Sequence, residues 1–186
     1  MTLPRIEDAL LPLNPHSRPG RSLRGVLGLV WHWVANPGTT AKQNRDYFAR
    51  LQYSGDRYAG AHYIIGMRGE VLQCIPDHEM AYHCGAEKYK ERAVELLGAY
   101  PNNCTIGIEM CHPDETGEPT AETLESLVML SAMLAKKYNL LPCLQILRHH
   151  DITGKDCPKW FVDRPEEYDQ ALGAVSVRLN LLRRMG

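Results

Sequence analysis

Between Ile146 and Phe161 the chain reads ILRHHDITGKDCPKWF, which sets two histidines, two lysines, two aspartates and a cysteine in one short stretch. Residues of these types do one of two things together: they ligate a metal, or they pair a cysteine nucleophile with a histidine base. His149 follows the apolar run LQIL and so stands at a strand end, DITGKD forms a loop, and Pro158 stops regular structure just after Cys157. A loop that returns Cys157 to His149, joined by His32 from the strand GLVWHWV, makes a set of two histidines and one cysteine. Three protein ligands with the fourth tetrahedral position open is the pattern of a catalytic zinc site, not a structural one. Neighbouring residues of a strand face opposite ways, so only one of His149 and His150 can join the set. The bland alternatives are a core histidine at 32 and a polar loop with an incidental cysteine.

Two further groups suit such a site. In TIGIEMC, Ile106, Ile108 and Met110 point to one side of a strand, and Thr105, Gly107, Glu109 and Cys111 point to the other. A lone glutamate in an apolar strand is costly unless it is solvated or serves a site, and Gly107 on its face leaves room for a cleft. Lys155, two residues before Cys157, can aim an ammonium at an oxyanion. HEMAYH is a decoy. Its histidines, His78 and His83, are five apart and cannot share a helix face as those of HExxH do; the segment is expected to be a loop entering a short strand.

The elements that must position these groups follow from periodicity. Residues 25–34 are a continuous β-prone apolar run, expected as a strand buried on both faces. After NPG, Thr39 or Thr40 caps a helix with Ala41, Asn44, Phe48 and Leu51 on one stripe. Residues 61–75 predict a hairpin turning near Arg68 and Gly69, and residues 85–98 a surface helix or irregular excursion. From Thr120, Leu124, Leu127, Val128, Ser131 and Leu134 keep helical spacing. The last helix has Pro165 near its start and Leu172, Val175, Leu179 and Leu182 as its stripe. Strands and helices alternate irregularly around at least one hairpin. The expected fold is therefore α/β, a central mixed sheet flanked by helices, in one domain over residues 1–186 with an ordered arm at 1–24.

Composition narrows the function classes. The 186 residues carry a net charge of −1, which gives no electrostatic basis for a nucleic-acid or anionic-membrane partner. No apolar run approaches the ~20 residues of a membrane helix. Pro4, Glu7 and Asp8 interrupt the place where a secretory leader would need an apolar segment, so synthesis in the cytoplasm is expected. The six cysteines are scattered without a CxxC pair, and they read as reduced thiols, mostly small buried apolar residues, with Cys157 the exception.

In order, GLVWHWVANPGTTAKQNRDYF, AHYIIGMRGEVLQCIPDHEMAYHCG, TIGIEMC and RHHDITGKDCP resemble the zinc-dependent N-acetylmuramoyl-L-alanine amidases of the type-2 amidase and peptidoglycan recognition protein superfamily. The resemblance is nearest to the phage endolysin and sporulation or autolytic branch. It implies a mixed sheet packed by helices, a groove for peptidoglycan across a zinc ion, and hydrolysis of the amide between muramic acid and L-alanine. It selects His149 to join His32 and Cys157 as zinc ligands, with Glu109 assisting the attacking water and Lys155 stabilising the oxyanion. His83, in AYHCG, matches a substrate-wall motif, and Tyr63 and Trp160 are expected beside it along the groove. Ala61 departs from those relatives that carry a catalytic tyrosine there, which leaves the acid/base role to Glu109. The resemblance also implies a monomer, and action on the bacterial wall after release by phage or mother-cell lysis. Two rivals remain: a cell-wall peptidase with Cys157 as nucleophile and His149 as base, and a peptidoglycan-binding module without catalysis. Sensitivity to a chelator separates the first, and dye release from purified walls the second.

Overall fold

Parallel pairing dominates the sheet because most of its strands return through helices. In the computed structural model, which describes residues 4–185, six strands lie in the order β1-β4-β3-β5-β2-β6. They are β1 (Ile6–Asp8), β2 (Gly28–Trp33), β3 (Tyr63–Ile65), β4 (Val71–Gln73), β5 (Thr105–Met110) and β6 (Ile146–Arg148). Only β3 and β4 pair antiparallel. They form the expected hairpin, closed by Gly66 N–H on the Glu70 carbonyl at 2.8 Å, with Gly69 at φ +79° in the left-handed region that glycine tolerates. The mixed, helix-flanked sheet is the architecture the patterning predicts. The arm is built into the sheet. Its residues 6–8 form the edge strand, and Arg18 holds the arm down through a bidentate pair with Glu79.

The helices are α1 (Ala41–Arg50), α2 (Glu91–Leu97), α3 (Ala121–Tyr138), α4 (Pro142–Gln145), α5 (His149–Thr153), α6 (Lys159–Asp163) and α7 (Pro165–Arg184). Thr40 caps α1 in a reciprocal box with Gln43, and Thr120 caps α3, whose other end closes on Asn139 in the left-handed conformation. Among the described residues no helix is long and apolar enough to cross a membrane. α3 and α7 cover one face of the sheet, where Leu29, Trp31, Ile106 and Ile108 meet Leu127, Leu130 and Val175. Trp31 is fully buried, and its indole N–H is satisfied by Ser131 Oγ at 3.0 Å. The opposite face packs Ile64, Leu72 and Phe48 beneath α1, and Val30, Ala93, Leu97 and Ile152 beneath α2 and α5. Alternation along β2 and β5 thus sends apolar side chains to the α3/α7 face and His32 and Glu109 to the other.

Tyr63 belongs to the α3/α7 core. It does not line the cleft described below. Its hydroxyl donates to Asp77, which also accepts from Lys137, Tyr138 and Gln73. Burial opposes the charge on Asp77, but the hydrogen bonds from Lys137 and Tyr63 outweigh it and hold the carboxyl below its ordinary value. A depressed carboxylate stabilises the fold above its unfolded pKa, and that stabilisation is lost as pH falls through the folded pKa. Asp77→Ala, which strands the Tyr63 hydroxyl, should cost about 1–3 kcal/mol near pH 7. Urea melts of both proteins should show the gap closing below about pH 4.

Candidate metal centre

The site lies where β2, β5 and β6 end. In the parallel register His32 stands opposite Glu109, so both side chains leave the sheet on one face. β6 runs straight into α5, and His149 is the first residue of that helix. His149 thus stands at the end of β6 as expected, but the strand-alternation argument for choosing between it and His150 is corrected. His149 and His150 are neighbours on a helical turn, and the turn, not strand alternation, separates them. Arg148 fixes this junction. Its backbone N–H and guanidinium bind Asp151, Nη1 reaches the Phe161 carbonyl at 2.9 Å, and the guanidinium lies 4.6 Å over the Tyr168 ring. His150 turns the other way and donates from Nδ1 to the Lys155 carbonyl at 3.0 Å, while its backbone N–H bonds the Cys157 carbonyl at 2.8 Å. It pins the loop that carries Cys157 back to the site.

His32, His149 and Cys157 converge, all buried, with one ligand atom of each within 4.8 Å of the others. Nδ1 of His32 lies 3.6 Å from Cys157 Sγ. Nε2 of His149 is buried without any hydrogen-bond partner. Burial, then the neighbouring imidazoles and Lys155, pushes His32 well below the ordinary histidine value, and burial pushes His149 down to about 4. Both imidazoles are thus neutral near pH 7, as ligands must be. Burial raises the Cys157 thiol, which disfavours a free thiolate nucleophile but is reversed by a bound dication. An orphaned buried nitrogen, a neutral imidazole and a thiol fit a borderline-soft divalent metal.

Glu109 lies beside this cluster with Oε2 buried and unpartnered, and burial pushes its carboxyl up to about 8. The nearby charge of a dication would draw it down again. Lys155 lines the same cleft, its Nζ donating to the Gly85 carbonyl at 2.8 Å. The cleft holds about 550 Å³, and its walls are aromatic and cationic: Tyr47, Arg57, Tyr58 and Tyr82. Sequence reasoning missed these four. Tyr47 sits one position beyond the buried stripe of α1, and the glycine-bounded run GDRYAG was the one signal for Arg57 and Tyr58.

Other expectations need correction. Trp160 does not line the cleft; it packs against the α3/α7 core, with the Arg164 guanidinium 3.7 Å from its ring centre. Gly107 does not leave open room, because the His83 ring fills it. His83 borders the cleft, yet both its ring nitrogens bond inside the protein. Ala81–His83 form no strand. His62 is buried and structural, accepting from Gly107 N–H at 3.0 Å and donating to the Glu79 carbonyl at 2.9 Å.

Comparison with known proteins places the chain in a family. The sequence pattern of the family described as N-acetylmuramoyl-L-alanine amidase matches residues 22–160. A probable N-acetylmuramoyl-L-alanine amidase of Bacillus licheniformis is 38% identical over 83% of this chain and 42% of its own length. The amidase BlyA of Bacillus subtilis is 32% identical over 93% of this chain and 47% of its own. The chain therefore spans less than half the length of these relatives. In fold it is similar to the catalytic domain of XlyA, with a TM-score of 0.71 at 21% identity over 92% of this chain and 99% of that one. It is also similar to the Staphylococcus aureus hydrolase AmiA, with a TM-score of 0.68 at 17% identity over 96% and 85% of the two chains. With its buried two-histidine, one-cysteine cluster at the strand ends and three-quarters of its length matched, the chain belongs to the N-acetylmuramoyl-L-alanine amidase family.

Proposed function

We propose that this chain hydrolyses the amide between the muramic acid lactyl group and L-alanine in peptidoglycan, with zinc held by His32, His149 and Cys157. The observation that carries this is the convergence of those three side chains on the cleft floor beside the unpartnered Glu109 carboxyl. Zinc held there supplies Lewis acidity, polarising a carbonyl and acidifying water. Glu109 takes the proton of the attacking water and returns it to the leaving amine. Lys155, at the cleft rim, presents its ammonium to the developing oxyanion. The faces of Tyr47, Tyr58 and Tyr82 offer apolar walls for the glycan and peptide, and Arg57 offers a cation to peptide carboxylates.

The chain acts on the bacterial cell wall in this scheme, as a monomer, with peptidoglycan as its partner. The cysteine-nucleophile alternative gives the converging His32 and the unpartnered Glu109 no role, and burial raises the Cys157 thiol against it. Incubation with purified walls should release new L-alanine amino termini. Metal analysis should return about one zinc per chain, and chelation should abolish release until zinc is restored. Undiminished cleavage by metal-free protein, or release of reducing sugar ends alone, would refute the proposal.

A further inference from the structure

One buried chain of hydrogen bonds runs away from the metal cluster and ends on a backbone carbonyl. Thr105 Oγ1 donates to the Pro101 carbonyl at 2.8 Å, which commits its proton. The same oxygen lies 3.1 Å from His83 Nε2, and the Thr105 carbonyl lies 3.4 Å from it. Both are acceptors there, so His83 carries its proton on Nε2 and its Nδ1 is bare. That Nδ1 is 3.0 Å from His32 Nε2. The Cys84 thiol also lies 3.2 Å from that Nδ1, but two bare ring nitrogens facing each other at 3.0 Å repel, so His32 is protonated on Nε2 and its Nδ1 keeps the lone pair that faces Cys157.

The placement of His83 is set independently. A Cβ at residue 107 would stand 2.6 Å from Cγ and 2.7 Å from Nδ1 of the ring, so β5 presses bare backbone against it. The Asn102 carboxamide oxygen accepts from the backbone N–H of both His83 and Cys84, at 3.2 and 2.8 Å. His32, His83, Asn102 and Thr105 are all buried.

We propose that His83 is a positioning residue: it holds His32 as the Nε2–H tautomer and so aims the bare Nδ1 at the metal cluster, and it does not act as a substrate contact. Partners of this kind orient a ligand ring and raise its basicity. The tautomer stands on the hydrogen-bond chain alone; its consequence for the metal rests on the function proposed above. A rival use of the same atoms exists, because His32 Nε2, His83 Nδ1 and Cys84 Sγ also come within 4.8 Å of one another and could hold a second ion. In that arrangement His32 would have to lose both ring protons.

The test is nitrogen-15 spectroscopy of the histidines in the full chain, metal-free and with Zn²⁺ added. His32 should show a proton on Nε2 in both states, with scalar coupling across the hydrogen bond to His83 Nδ1, and its Nδ1 signal should move on adding Zn²⁺. His83→Leu, which removes the acceptor, should weaken Zn²⁺ binding in chelator competition by roughly 10–100-fold. His83→Asn, whose Oδ1 takes the place of Nδ1, should restore affinity to within about 3-fold of wild type, on the same scale. A proton on His32 Nδ1 in the metal-free chain overturns the proposal. So does wild-type affinity in His83→Leu, or two Zn²⁺ per chain with one lost in Cys84→Ala. If His83→Leu fails to fold, the wild-type spectra and His83→Asn still decide. If no Zn²⁺ binds to wild type, the function proposed above fails, and the tautomer is still read from the metal-free spectra.

Discussion

Glu109→Gln should keep its metal and its fold while losing roughly 10²–10⁴ in rate, the scale of a positioned general base. Glutamine is nearly isosteric, and Glu109 is not among the three converging ligands. The substitution also removes a carboxyl whose Oε2 is buried without a partner and whose ionisation burial opposes. Its thermal midpoint should therefore be no lower than wild type. Two groups near the site motifs are not placed to take over. Ala61 is a buried small side chain, and Tyr63 is committed to Asp77 on the other face of the sheet. The measurement is release of L-alanine amino termini from purified walls, alongside zinc content and a melt. A variant that holds zinc and cleaves within a few-fold of wild type would reduce Glu109 to a structural residue.

Cys157→Ser should lose metal more completely than any partner mutation, beyond the roughly 10–100-fold typical of residues that only orient a ligand. A neutral hydroxyl replaces a thiolate, and the remaining imidazoles carry no charge to offset a dication. Cys157→Asp restores an anion and should recover part of the affinity, with an oxygen in place of sulfur. Both variants should retain the fold, because the loop is held from His150 and from the backbone, not from Sγ. Chelator competition and circular dichroism separate the two effects. Full zinc occupancy in Cys157→Ser would remove Cys157 from the ligand set.

The strands that carry His32 and Glu109 were legible because alternation in β2 and β5 leaves little choice of face, and the parallel register then brings the two together. The hairpin and the capped helices α1 and α3 were legible from turn and cap chemistry. The start of α5 was not. Arg148 is an unusual residue at a helix N-terminus, and its bond to Asp151 becomes visible only once the chain has turned. Tyr63 and Trp160 were misplaced for a different reason. Both are aromatic residues next to site motifs, and the face they take depends on where α3 and α7 pack. The cleft walls escaped because Tyr47, Arg57 and Tyr82 come from three separate segments that meet only in the folded chain.

The short strand β1 has a bearing on solubility that the chemistry of the cleft does not reveal. It occupies the outer row of the sheet, pairing with β4 along Ile6–Asp8, and Ala9 and Leu11 continue the bonding to Gln73 and Cys74. It is three residues long, with Glu7 and Asp8 exposed, which are features that discourage another chain from adding a strand there. A chain beginning at residue 12 would keep every cleft residue yet bare the edge of β4, where Val71 and Leu72 lie buried. Such a truncation should self-associate through open strand edges long before it loses the ability to bind metal, so β1 guards a site formed farther along the chain against aggregation.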